Sequence, residues 1–249
     1  MSLLTIESVS QHFGSLVAVD SVSLAVEPGE LRAVIGPNGA GKTTFFNLIS
    51  GFFAPTSGRI MFDGRDITTL APHKRVAMGM ARTFQITEIF PELTVRENLR
   101  IPVEIALGLR LRPWLGKSAN VRIKERVAEL AELGGLSEKV DRLVGELSHG
   151  DQRSTEIMMS LALKPRLLLL DEPTAGMGDQ ETYNITRLIR KLHRSQKLTI
   201  VLIEHDMRVI FHLADRIMVL AEGAVLAEGT PDEIAASEKV QAAYLGKAA

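Results

Sequence analysis

β-Branched residues and leucines alternating with small or polar ones open the chain. Ile6 and Val9 come first, then Val17, Val19, Val22, Leu24 and Val26, a period-two pattern that predicts strands over the first thirty residues. Pro28-Gly29 predicts a turn, and Leu31 to Ile35 a short buried strand. A glycine-rich stretch follows, then a helix carrying Phe45, Phe46, Leu48 and Ile49. Strand, glycine loop and helix in that order begin a parallel-sheet α/β domain.

The period changes between about Ile86 and Met159. Ile123, Val127 and Leu130 fall on one helical face, and Gly134-Gly135 stops that helix. Helical spacing and few strand signals make this segment a helical lobe inserted into the sheet domain. Four consecutive leucines, Leu167 to Leu170, return to the strand pattern and end on Asp171. A helix with Ile185, Leu188, Ile189 and Leu192 on one side comes next, then the strand Leu198 to Ile203. Ile217–Ala221 and Ala224–Ala227 predict a hairpin around Glu222-Gly223. Thr230-Pro-Asp-Glu233 then opens a helix, with threonine as N-cap, proline first and glutamate third. The chain reads as one domain over residues 1–249: a sheet core (1–85 and 160–229), the inserted lobe (86–159) and a helical tail (230–249). It contains no internal repeat and no low-complexity tract.

Composition narrows the classes. With 249 residues the chain can bury a substantial core, and 45% hydrophobic with 24% charged residues is an ordinary globular balance. A formal net charge of -1 carries no basic excess that would advertise nucleic acid as a partner. Cysteine is absent, so disulfides, thiol nucleophiles and cysteine metal sites are excluded. The first residues lack a basic n-region and an apolar h-region, so a cytoplasmic location is expected. No apolar run approaches the roughly 20 residues that span a bilayer. The most apolar stretch, Ile157 to Leu170, is broken by Lys164-Pro165-Arg166.

Candidate chemistry then has somewhere to sit. Gly36-Pro37-Asn38-Gly39-Ala40-Gly41-Lys42-Thr43, followed by Thr44, fits the phosphate-binding pattern G-x-x-x-x-G-K-[ST]. Glycines let backbone N–H groups converge on phosphates, and the next helix offers its positive N-terminal end. Lys42 would reach the β- and γ-phosphates and the Thr43 hydroxyl would join a Mg²⁺ shell. Chance alone produces the pattern in on the order of one chain in a hundred of this length, and rarely between a strand and a helix. Asp171-Glu172, at the tip of the buried leucine strand, supplies a carboxylate for the Mg²⁺ shell and a general base for water. Taken alone, two acids at a strand end are a solvated edge; paired with a phosphate loop they are not.

Three further pieces are weak singly. His205 follows a strand directly and would donate to a γ-phosphate, though a lone histidine is usually structural. Gln85 sits where the sheet passes into the lobe, and an isolated glutamine is normally surface. Leu147-Ser148-His149-Gly150-Asp151-Gln152-Arg153 is a polar loop before a helix expected from about Gln152, which by itself reads as an ordinary N-cap. Taken in order, the five elements resemble the nucleotide-binding domain of ABC transporters over essentially the whole chain. That resemblance implies the P-loop NTPase α/β fold, with a RecA-like mixed sheet, an N-terminal antiparallel β part and an inserted helical lobe. It also implies that Phe13 stacks on adenine, although a lone strand phenylalanine is more often core. Two such domains would face head to tail. Ser148, His149, Gly150 and Asp151 would then serve the partner's ATP in trans, and Gln85 would join the Mg²⁺ shell and couple it to the membrane side.

The stretch Ala81 to Leu99, His149, Ala175 to Thr182 and the ending Ala243-Tyr-Leu-Gly resemble the branched-chain amino acid importers, with urea and short-amide importers close by. The implied partners are ATP, two membrane-spanning permease subunits, a second ATPase subunit (identical or similar) and, indirectly, an extracytoplasmic solute-binding protein, but no nucleic acid. The implied place is peripheral, on the cytoplasmic face of the plasma (inner) membrane. Departures from the common LSGGQ signature, His149 and Asp151, resemble that subgroup; Gly178 stands where many relatives carry aspartate. Arg110, Arg112, Trp114 and Lys117 read as a solvated loop beside the membrane subunits. A soluble ABC ATPase acting on DNA or ribosomes would carry a long coiled coil or two nucleotide domains. A P-loop kinase or GTPase would lack the signature and His205.

Overall fold

The computed structural model describes residues 2–83, 89–109 and 116–245. Strands β1 (Leu4–Phe13) and β2 (Leu16–Val26) form an antiparallel hairpin, and β3 (Leu31–Ile35) is buried at every residue. The glycine loop follows and leads into α1 (Lys42–Ser50); then come β4 (Ser57–Phe62), β5 (Arg65–Asp66), α2 (Pro72–Ala77) and β6 (Met80–Arg82). Helices α3 (Val95–Ala106), α4 (Lys117–Leu133) and α5 (His149–Ala162) make the lobe. The chain returns through β7 (Leu167–Asp171), α6 (Asp179–Gln196), β8 (Thr199–Ile203), α7 (Met207–Leu213), β9 (Arg216–Ala221) and β10 (Ala224–Gly229). Helices α8 (Pro231–Ala235) and α9 (Glu238–Leu245) close it.

Two sheets result. β2-β1-β4-β5 is a four-stranded antiparallel sheet, and β10-β9-β3-β8-β7-β6 a six-stranded sheet that is parallel except for β10. The leucine strand β7 explains its own composition. Leu167 and Leu169 face the core shared with the antiparallel sheet and α1, whereas Leu168 and Leu170 face the core of the helical lobe. A parallel strand covered on both faces shows a continuous apolar run instead of alternation. Each fully buried leucine of this kind stabilises the fold by roughly 1.5–3 kcal/mol.

Three elements depart from the expectations. The helix after the signature loop starts at His149, with Ser148 as its N-cap, rather than near Gln152. Strands β4 and β6 carry no pattern long enough to announce them; β6 exists because its three residues pair in register with Leu167–Leu169. Gln85, and Arg110, Arg112 and Trp114, lie outside the described residues. Among the described residues no helix is long and apolar enough to cross a membrane.

Candidate functional site

The glycine loop runs from the C-terminal end of β3 to the N-terminus of α1, whose N-cap, Gly41, has φ 95° and offers no side-chain cap. The first helical N–H groups are therefore left for a ligand to satisfy. Gly36 and Gly41 are required sterically. A Cβ at Gly36 would lie 2.1 Å from the Leu220 carbonyl oxygen, and one at Gly41 2.3 Å from that of Ala18. Buried Ala40 accepts a backbone bond from Gly223 (3.2 Å), and Asp20 N–H bonds the Gly223 carbonyl (2.8 Å), so two hairpins clamp the loop. Asn38 and Gly39 are exposed at its apex, Pro37 and Thr44 are partly buried and Thr43 is exposed.

Lys42 folds back onto the loop, with Nζ donating to the carbonyls of Gly36 (2.7 Å) and Pro37 (2.9 Å). Burial lowers its pKa, and the opposing pull comes from Glu172 and Asp171. The ammonium thus sits in the field of the acids at the tip of β7. Phe13 is 49% exposed and packs edge-on against Phe53 at 5.6 Å, so it is a surface aromatic and not core. From the tail, Tyr244 engages the Gly36 backbone; burial raises its hydroxyl's pKa and that bond partly offsets the rise.

Asp171 ends β7, and Arg82, at the end of neighbouring β6, bonds its carboxylate at 2.9 Å. The same guanidinium holds Asn47 (2.7 Å) and Ser50 (2.8 Å) of α1, which ties the helix after the loop to the acid strand. Glu172 has φ 44°, and its N–H bonds the Ile203 carbonyl at 3.0 Å. A left-handed non-glycine residue carries a backbone cost of order 1–3 kcal/mol, which persists where the surroundings over-determine it. Here Arg153 supplies that determination, gripping the carbonyls of Asp171 (3.0 Å), Glu172 (2.9 Å) and Pro173 (3.1 Å) from α5. His205 Nδ1 lies 4.0 Å from Glu172 and 3.6 Å from Glu204, with 64% of the side chain exposed. Buried Glu204 holds the turn: it accepts from the backbone N–H of His205 (2.8 Å), Asp206 (3.3 Å) and Thr174 (3.1 Å) and from the Thr174 hydroxyl. The sequence assigns no role to Arg153 or Glu204; a charged residue at the end of an apolar strand is the only signal for Glu204.

The residues of Ser148-His149-Gly150-Asp151 stand apart from this centre. Among the described residues no hydrogen bond or ion pair joins them to residues 36–44. Ser148 caps α5 through the Asp151 N–H (3.3 Å), Lys139 pairs with Asp151 (2.6 Å), and the Gly150 N–H donates to Glu181 of α6 (3.0 Å). A cleft of about 820 Å³ opens beside them, between α6 and the end of α4. His149 is exposed. As to a metal, Thr43 and Asp171 offer a hydroxyl and a carboxylate, hard oxygens that suit Mg²⁺ when phosphate oxygens complete the shell. No group of three or more His, Cys, Asp or Glu gathers among the described residues. The residues therefore fit an ion shared with a nucleotide better than an all-protein cage.

This is the arrangement of a P-loop ATPase with a helical signature lobe, and comparison with known proteins places it. The family described as ABC transporter matches residues 19–175, and that described as branched-chain amino acid ATP-binding cassette transporter matches residues 224–249. The high-affinity branched-chain amino acid transport ATP-binding protein BraF of Pseudomonas aeruginosa is 41% identical over 99% of this chain and 98% of its own. LivG of Escherichia coli K12, of the same description, is 40% identical over the same shares. The solved ATP-binding cassette MJ1267 of an ABC transporter superposes with a TM-score of 0.87, at 32% identity, over 99% of this chain and 100% of that one. The chain belongs to the ABC transporter family, as an ATPase coupled to transport. Within that family it is of the branched-chain amino acid importer type.

Proposed function

We propose that the chain binds ATP on Gly36–Thr44 and hydrolyses it to drive import of branched-chain or related amino acids. One observation carries the site assignment: Lys42, Asp171, Glu172 and His205 converge at the C-terminal ends of three neighbouring parallel strands. Ligands of open α/β sheets bind at that edge. Lys42 would exchange its loop carbonyls for the β- and γ-phosphates, and Phe13 would face adenine. Thr43 and Asp171, with Gln85, would hold Mg²⁺, which when bound supplies charge neutralisation for the phosphates. Glu172 would take a proton from the water attacking the γ-phosphorus as the bond to the bridging oxygen of ADP breaks. His205, exposed beside Glu172, would donate to the γ-phosphate.

The solved ATP-binding cassette MJ0796 is dimeric in a post-hydrolysis state bound to ADP and Pi. We infer a head-to-tail pair at the cytoplasmic face of the inner membrane. In it Ser148, His149, Gly150 and Asp151 meet the nucleotide bound by a second, identical or similar ATPase subunit. The single-domain division (1–85 with 160–229, 86–159, 230–249) follows the same reading, with the lobe facing the permeases. Uptake of radiolabelled leucine, isoleucine and valine in cells carrying the chain or Glu172→Gln tests the proposal. Uptake lost in the variant and restored by the wild type supports it. Unchanged uptake of all three, with impaired uptake of another solute such as urea, would move the substrate elsewhere.

A further inference from the structure

The N-terminus of α5 is occupied from within the chain. Glu181, third residue of α6, accepts the Gly150 N–H at 3.0 Å, and a Cβ placed on Gly150 would touch its Cβ and Cγ at 3.3 Å. Four groups hold its carboxyl below the usual carboxylate range: the Gly150 N–H first, then the Ser148 side chain, the Gly178 backbone and His149. One carboxylate thus serves two helix N-termini: α6, whose N-cap Gly178 has no side chain to cap it, and α5 across the cleft. The other acid at this end, Asp151, is neutralised by Lys139 at 2.6 Å. Glu181 makes no ion pair with lysine or arginine among the described residues, and its hydrogen bond across the cleft comes from the Gly150 N–H. That N–H is also a group that would receive a phosphate.

We propose that Glu181 is a positioning residue for hydrolysis in trans: its carboxylate stands in for phosphate on the Gly150 N–H, beside Ser148, and it must let go when the partner's nucleotide docks. The inference rests on the reading of Ser148 and Gly150 as the trans ATP contacts. A phosphate and a carboxylate cannot share one N–H donor, and at hydrogen-bond range their like charges repel. Release is sterically open, because Glu181 is only partly buried and borders the cleft of about 820 Å³. The exchange makes the signature end selective. A fully charged, multiply bonded phosphate displaces the carboxylate, and a weaker anion does not. Docking of the two ATPase subunits is thereby tied to the presence of nucleotide.

The test uses the complete transporter with its membrane and second ATPase subunits, and reads initial ATPase rate against ATP concentration. Glu181→Gln keeps size and an acceptor for the Gly150 N–H but removes the charge; Glu181→Ala removes both. Both are expected to lower the KM for ATP by roughly threefold to tenfold, with kcat changed less. ATP binding to the isolated chain through its own loop should stay unchanged. A Gln variant with the wild-type KM would make the contact a structural cap and overturn the proposal, as would an unchanged or raised KM in both variants. Ser148→Ala in the same assay separates the layers. If it raises KM while the Glu181 variants do nothing, the inference alone fails; if it leaves the ATP dependence untouched, the trans reading fails and takes the inference with it.

Discussion

Two helix N-termini in this molecule receive anions in opposite ways. That of α1 is bare: its N-cap is a glycine with φ 95°, no side chain caps it, and the adjacent lysine is parked on loop carbonyls. That of α5 is filled: Ser148 caps it, Asp151 sits in its first turn, and Glu181 reaches over from α6. The first, in the proposed function, would hold phosphate within one chain, with the Lys42 cation beside it. The second is filled from within the chain, and on the proposal above would open only to a more strongly charged group, as half of a shared site. An uncapped helix start costs stability that a bound phosphate returns, whereas a capped one is stable alone and must be opened.

The largest effect is expected from Glu172→Gln, which should lower phosphate release by about 10²–10⁴-fold while ATP binding persists, because an amide cannot accept the water's proton. Phosphate release and nucleotide binding measured on the same preparation check it; an unchanged rate would remove Glu172 from that role. Lys42→Ala should weaken ATP binding by about 1.5–3 kcal/mol, the scale of a charge-assisted phosphate contact. Isothermal titration of the chain reads this directly, and an unaltered affinity would mean that the bare N-terminus of α1 suffices without a cation. Ser148→Ala should lower the chain's own stability by about 1 kcal/mol through loss of the α5 cap. Gly41→Ser should gain no cap and should destabilise the chain by more than that, since Gly41 has the left-handed φ of 95° that an N-cap side chain does not use and a Cβ there lies 2.3 Å from the Ala18 carbonyl oxygen. Urea midpoints distinguish the two helix ends.

The smallest effect concerns pH. His212, in the wall of the cleft behind the signature loop, has its pKa lowered by burial and by Arg190 and Arg194. The folded chain therefore prefers the neutral ring. This contribution is full above the free histidine value of about 6.5 and is lost as pH falls below it. His212→Gln should flatten the decline of the urea midpoint between about pH 6.5 and 5, and an equally steep decline would assign it to other groups.

Much of the active end was legible because its chemistry is local. A phosphate demands converging N–H groups, which demand glycines in unusual backbone conformations at fixed spacing, and these are written consecutively at Gly36 to Thr43. Asp171 and Glu172 were legible because a strand buried on both faces leaves an unbroken leucine run with polar residues only at its tip. The helix capped by Thr230 and Glu233 was legible for the same local reason, and the structure shows both halves of its capping box.

Helix α5 begins three residues before the position near Gln152 that the sequence predicts, because a glycine beside a histidine has the pattern of a loop. The N-cap Ser148, not the propensity of the residues after it, decides where that helix begins. From its sequence alone, then, this protein is an α/β ATPase with a phosphate loop, an acid pair and a signature stretch, each encoded within a few neighbouring residues. Only the tertiary structure decided that Arg82 holds Asp171, that Arg153 fixes the turn carrying Glu172, that Glu204 underlies His205 and that Glu181 covers Gly150. Apart from the neighbours Glu204 and His205, those pairs join residues 19 to 89 positions apart, and a charged side chain carries no mark of its partner. Packing chooses which buried donor meets which acceptor, because leaving either unmet would cost about 1–3 kcal/mol.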